Sequence, residues 1–290
     1  MQITVAFLIL NYKSFQDTIR VTREVLDFNQ KDFHVVIVDN ASPNESLEEL
    51  NKAFRCTPSV TIIQNSTNSG YAKGNNVGLK FLKKLNPMYV CIINNDVHFT
   101  LQTIRNLCEW YKMLPNPAVI SPIQKNPTGE IASFLTLDIP TLLYDIKTYT
   151  ILFQPVKHRY YQNTKIKGVQ EVGIVPGAFL FINYKLFESL DFFDEETFLF
   201  CEERFLGRKI ERNNLKNYII LNEDYVHEHS KTINQESSQN MQQEYLFEGK
   251  IKYWKRYSKT PMIVFLLLST MRMLNNFEIK FLKRLKTFFK

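Results

Sequence analysis

The chain has 290 residues, 44% of them hydrophobic, with 36 Lys and Arg against 29 Asp and Glu and a net charge of +7. This composition excludes a disordered chain, and the length allows one large domain or one domain plus an appendage. The charge is uneven: residues 250–290 hold eleven basic residues against Glu278 alone, a net +10, which leaves residues 1–249 at −3, so no nucleic-acid partner is expected for the body of the protein.

In chain order, ITVAFLIL at 3–10 is rich in β-formers and reads as a buried strand. Ser14 and Asp17 form an S-x-x-D capping box, and Phe15, Ile19, Thr22 and Leu26 follow with helical spacing. HVVIVDN at 34–40 is a second buried strand, and Ser42 is expected to cap a helix carrying Leu47, Leu50 and Phe54. VTIIQN at 60–65 is a third strand, and residues 71–85 a helix with Val77, Phe81, Leu82 and Leu85 apolar. VCIINND closes the fourth unit, and Thr100 caps a helix through Ile104, Leu107 and Tyr111. This β-α repetition argues for a mostly parallel α/β sheet with helices on both faces.

Residues 115–170 are less regular, with five prolines before the Tyr-rich stretch TLLYDIKTYTILF, and are expected to give one or two strands plus a loop or small helix. VGIVPGAFLFIN at 172–183 reads as two strand-like runs broken by Pro176-Gly177, and 198–211 as a helix. Residues 230–244 are polar and are expected to link a body at 1–232 to a basic helical region at 233–290. The N-terminus lacks the basic leader and small-residue cleavage site of a signal peptide. MIVFLLLSTM at 262–271 is too short to span a bilayer, which needs about 20 residues. Cys56, Cys91, Cys108 and Cys201 have no metal or redox spacing and read as reduced thiols in a cytosolic compartment.

In parallel α/β sheets ligands bind at the carboxyl ends of the strands. Those ends here hold Asn11-Tyr12, Asp39-Asn40, Asn65 to Asn68 and Asn94-Asn95-Asp96. A carboxylate beside amides suits Mg²⁺ or Mn²⁺ shared with substrate phosphates, although Asn and Asp also open ordinary turns. NSGYAKGNNVGL at 68–79 is neither a Walker loop nor G-x-G-x-x-G; its glycines let backbone N–H groups approach an anion at a helix start, with Lys73 adding charge. In FDEETFLFCEERFLG, Glu203 beside Phe198, Phe200 and Phe205 is a candidate general base; the segment also reads as a solvated acidic face. His227 and His229 sit two apart in an extended run and point to opposite sides.

Together VDNAS, NSGYAKGNN, INNDV, GAFLF, FDEETFLFCEE and VHEHS, in this order, resemble family 2 glycosyltransferases of the GT-A fold, most closely the rhamnosyltransferase-like branch of bacterial cell-surface polysaccharide synthesis. The resemblance covers about residues 1–232. It implies that Asn11, Tyr12 and Asp39 hold the nucleotide of a sugar donor. It implies that Asn68, Gly70, Lys73 and Asn76 lie near the phosphates, and Asn94, Asn95 and Asp96 at the metal. Gly177 and Ala178 match the pair beside sugar and acceptor. Asp96 and His227 are the implied ligands of Mn²⁺ or Mg²⁺; His227, followed by Ser230, fits the family spacing better than His229. The catalytic segment reads Glu202-Glu203-Arg204-Phe205, so Glu203 is the implied base and Glu202 its alternate, with Phe205 where the family has a second acid.

The implied activity is inverting transfer from a UDP- or dTDP-sugar to a saccharide or lipid-linked saccharide. A catalytically silent scaffold of the same fold is the competing reading. The basic aromatic tail suits an anionic membrane surface, for a cytoplasmic protein peripheral on the inner face of the cell membrane. A homodimer contact is its rival.

Overall fold

The structure, a computed structural model, describes residues 2–132, 134, 137–149, 160–228 and 239–288. The first half alternates β1 (Val5–Asn11), α1 (Phe15–Asp27), β2 (Phe33–Asp39), α2 (Ser46–Phe54), β3 (Val60–Gln64), α3 (Tyr71–Leu82) and β4 (Tyr89–Ile93). Then come β5 (Val97–His98), α4 (Leu101–Met113), β6 (Pro117–Lys125), α5 (Leu142–Lys147), β7 (Val169–Val172), β8 (Phe179–Asn183), α6 (Tyr184–Ser189), α7 (Glu202–Arg212) and β9 (Lys216–His227). Two further helices follow, α8 (Gln239–Tyr257) and α9 (Pro261–Phe288).

Among the described residues the strands form one sheet in the order β3-β2-β1-β4-β8-β6-β9-β5, with β7 added on β9. The β1–β4 block is parallel throughout, as its β-α spacing requires. Antiparallel pairing enters in the second half, where β8 runs against both β4 and β6. Period-two alternation sends β1 side chains to opposite faces. Val5, Phe7 and Ile9 meet Val21 and Val25 of α1, Leu50 of α2 and Leu107 of α4. Ala6 and Leu8 meet Leu79 and Leu82 of α3 and Leu206 and Ile210 of α7. Helices therefore cover both faces.

Local signals fare unevenly. Thr100 caps α4, its hydroxyl accepting from Thr103 N at 3.1 Å. Ser14 makes no side-chain cap; its hydroxyl instead accepts from Asn95 Nδ2 at 2.8 Å. Ser42 does not cap α2, which begins at Ser46, because its hydroxyl donates to Asp39 Oδ1 at 2.6 Å. The helix expected from 198 starts at Glu202, since Phe200 and Cys201 both take left-handed backbone, φ 68° and 70°. The proposed boundary at 232/233, with His229 and Ser230, lies outside the described residues. Beyond it α8 is packed on α7, with the Phe205 and Tyr253 rings 5.4 Å apart.

Candidate active site

The carboxyl ends of β1, β2 and β4 open into a cleft of about 660 Å³ that the start of α7 and the first part of α8 also line. The floor is built by register. The two-residue β5 pairs Val97 with His227 of β9, and Glu228 N donates to Asp96 O at 2.9 Å. That pairing brings His227 Nε2 to 3.0 Å from Asp96 Oδ1 although 131 residues separate them, with Asn94 Nδ2 at 3.5 Å from the same nitrogen. Both Asp96 and His227 are 7% exposed and line the cleft. Among the described residues no group of three or more His, Cys, Asp or Glu could hold a metal. One carboxylate and one imidazole side by side nevertheless fit a divalent ion that takes its remaining ligands from a diphosphate.

The rest of the floor is an amide cluster. Asn95 Nδ2 donates to Ser14 Oγ at 2.8 Å and Thr18 Oγ1 at 3.0 Å, tying β4 to α1. Asn40 Nδ2 donates to Asn68 Oδ1 at 2.8 Å, and Gly70 N donates to that same oxygen at 3.1 Å. Gly70, at φ +83°, is the residue against which loop 198–201 closes: an added Cβ would lie 2.1 Å from Phe198 O. The next residue, Tyr71, donates its N–H to Phe198 O at 2.9 Å and its hydroxyl to Gly177 O at 2.7 Å. Burial, Glu202 and Glu203 hold that phenol far above its ordinary range, so it stays neutral.

Glu202 and Glu203, at the first turn of α7, line the same cleft. Burial, then repulsion from Glu203, pushes the Glu202 carboxyl well up, and its Oε2 has no hydrogen-bond partner among the described residues. Burial also raises Glu203, but its own backbone N–H, Arg204 and the Gly177 N–H oppose the rise. Burial thus disfavours charge on both carboxyls, and the partners around Glu203 make it the one that more readily accepts charge.

Of the residues singled out from sequence, Tyr12, Asn68, Gly70, Asn94, Asn95, Asp96, Gly177, Ala178, Glu202, Glu203 and His227 line this one cleft. Asn11, Asp39, Lys73 and Asn76 are not among the described residues that do. Asn11 and Asp39 are fully buried and serve each other, Asn11 Nδ2 donating to Asp39 Oδ1 at 2.8 Å. Lys73 is exposed on α3 and acts on Glu195; it stands two positions past the cleft-facing Tyr71, on another side of the helix. Asn76 staples the acidic loop, accepting from Phe193 N at 3.1 Å and donating to Glu195 Oε1 at 2.9 Å. Sequence reasoning missed Tyr71, Arg204 and the α8 residues Met241, Tyr245 and Leu246. Tyr71 sits inside the glycine motif, and the apolar spacing 241, 245, 246 within a polar stretch was the available signal for α8.

The sheet topology and this cleft define an α/β protein of the GT-A type. Residues 7–190 match glycosyl transferase family 2, and the chain belongs to that family. Over 220 residues it is 24% identical to the low-salt glycan biosynthesis hexosyltransferase Agl10 of Haloferax volcanii, covering 72% of this chain and 62% of that protein. In fold it is similar to GalNAc-T7, solved with UDP, GalNAc and Mn²⁺, at TM-score 0.67 and 13% identity, covering 91% of this chain and 50% of that one. It is also similar to the mannosyltransferase PcManGT of Pyrobaculum calidifontis, solved with GDP-Man and Mn²⁺, at TM-score 0.59 and 14% identity, covering 94% and 70%. The chain thus spans less than two thirds of Agl10 and half of GalNAc-T7.

Proposed function

We infer that this chain transfers a hexosyl or deoxyhexosyl group from a nucleotide-diphosphate donor, a UDP- or dTDP-sugar, to a saccharide hydroxyl in glycan synthesis, with inversion and with Mn²⁺ or Mg²⁺. The observation that carries the reading is that the Asp96–His227 pair and the Glu202–Glu203 pair line one cleft. Asp96 and His227 would hold the ion, which when bound supplies positive charge to the departing diphosphate. Asn94 and Asn68 line the cleft and offer side-chain amides to the donor. Glu203 takes the proton from the acceptor hydroxyl as it attacks the anomeric carbon from the face away from the diphosphate. A single displacement of this kind inverts configuration, and a diphosphate needs no general acid.

The acceptor side of the cleft is apolar, lined by Phe198, Leu199, Tyr245 and Leu246, which favours a lipid-linked saccharide. The outward side of α9 supports the same choice: Met262, Ile263, Leu266, Met273 and Phe277 are each more than half exposed, and the segment is basic. No helix among the described residues is long and apolar enough to cross a membrane, so the reading places α9 on an anionic membrane surface. The resemblance to the rhamnosyltransferase-like branch makes dTDP-rhamnose a donor to include.

Incubating the purified chain with UDP-, dTDP- and GDP-sugars and Mn²⁺ tests the reading. Metal-dependent donor hydrolysis is expected, lost in Asp96→Ala, and acceptor transfer is expected to be lost in Glu203→Gln with nucleotide binding intact. Full transfer by Glu203→Gln would refute the base assignment.

A further inference from the structure

The mechanism leaves unused a buried ion cluster behind α7. Asp145 of α5 is fully buried. Arg204 Nη1 donates to both of its oxygens, at 2.9 and 2.8 Å. From α8, Trp254 Nε1 donates to Oδ2 at 2.8 Å and Lys250 Nζ lies 3.4 Å from Oδ1. Lys250 is itself only 3% exposed; it donates to Thr148 Oγ1 at 2.9 Å and sits 4.6 Å over the Tyr149 ring. Two cations thus share one carboxylate. A surplus charge out of water is unfavourable unless a second counter-ion stands near.

Glu203 is next to Arg204 on α7, and Arg204 favours its charged form. With Glu202 protonated, Asp145 and Glu203 balance Arg204 and Lys250. Among the described residues, the other ionisable groups that act on this turn and its ion cluster are Tyr71 from α3, Cys201 just before the turn, Tyr144 of α5, Tyr149 just after α5 and Tyr253 of α8, all pushed up by burial and neutral. The packing serves the same end. Phe205, where the family has a second acid, is buried against Tyr253 and Tyr257 of α8. A Cβ on Gly249 would lie 2.9 Å from Cys201 Sγ, so α8 presses directly on the turn that launches the carboxylate pair.

We propose that Asp145 is a positioning residue: acting through Arg204 and Lys250, it locks the first turn of α7 and holds Glu203 as the ionised member of the pair, which makes α8 part of the active site. The directions of ionisation agree for the carboxylates, while burial lowers Lys250 against the pull of Asp145. Burial pushes the Asp145 carboxyl up, yet Arg204, Lys250 and Trp254 outweigh it and hold it low. Arg204 likewise restrains the rise that burial imposes on Glu203. The proposal rests on the reading of Glu203 as base, but its test need not.

In the full chain labelled with ¹³C at glutamate Cδ, the Glu203 carboxyl signal is assigned by its loss in Glu203→Gln and titrated without donor or metal. Lys250→Met removes a cation and is expected to raise the Glu203 midpoint by about half a pH unit or more. Asp145→Asn releases Arg204 and Lys250 and is expected to lower it. Opposed shifts are the signature of charge, because a packing role would move both variants the same way. Shifts of one sign, or an unmoved midpoint in Lys250→Met, overturn the proposal. Should Asp145→Asn fail to fold, Lys250→Met decides alone, since Asp145 keeps Arg204. Because ionisation is read rather than turnover, transfer surviving in Glu203→Gln would sink the base assignment and leave this result standing.

Discussion

Gly177→Ala isolates the placement of the base from its chemistry. A Cβ at Gly177 would lie 3.0 Å from Glu203 Oε1, with the Cδ and Cγ carbons at 3.6 and 3.7 Å. Ordinary contact begins at 3.4 Å, so the carboxylate oxygen must retreat by about 0.4 Å while the rest of the side chain stays in place. The displaced atom is the end of a flexible side chain, so the fold is expected to lose less than about 1 kcal/mol. Misplacement by 1 Å is worth about a hundredfold in rate, so 0.4 Å corresponds to roughly a five- to tenfold fall in kcat. Donor KM should stay unchanged, because in the proposed mechanism the carboxylate acts on the acceptor. Steady-state transfer and a melting curve on the same preparation check this. An unchanged kcat would show that Glu203 does not act from its place beside Gly177. A melting loss of many degrees would show that Gly177 is needed for the fold instead.

Gly70→Ala makes the opposite case: with φ +83° and a Cβ 2.1 Å from the Phe198 backbone oxygen, it is expected to unfold or misplace loop 198–201, seen as low yield of folded protein by circular dichroism. Glu202→Gln should stabilise the protein as pH rises. The folded-state pKa is raised above the ordinary 4.5, so stability is lost between 4.5 and that higher value as the unfolded chain ionises first; the variant should melt roughly 2–6 °C higher at pH 8 and match the parent near pH 4.5, and an equal gain at both pH values would contradict a buried acid. For Asp145 the sign reverses. Its pKa is lowered in the fold, so its contribution is present above the ordinary 3.8 and lost as pH falls through the folded value; Asp145→Asn should narrow the melting difference between pH 7 and pH 2, which differential scanning fluorimetry would read.

The β1–β4 block was legible because each strand is a short apolar run ending in polar residues, and each helix carries a periodic apolar face. Residues 94–96 and the 202–203 pair were found by residue type and order. Asn11 and Asp39 were placed in the nucleotide pocket by resemblance, yet each satisfies the other, and a one-dimensional string cannot show that a strand-end carboxylate already has its donors in Asn11 and Ser42. Lys73 was chosen for its charge, but helical phase turns it toward Glu195. The α8 contribution was hidden for another reason. Its docking depends on Asp145, which lies in the irregular proline-rich middle where no periodicity announces a helix, and on Arg204, which passes for a solvated charge until its 12% side-chain exposure is seen.

The late strand β9 lies beside β5, β6 and β7 at once. During synthesis, everything before it emerges first, including the aspartate that must meet its histidine. Until Lys216–His227 leave the ribosome, β6 has an open edge and the Asp96–His227 pair cannot form. A nascent chain of this protein should therefore stay open to edge-to-edge association until Lys216–His227 have emerged.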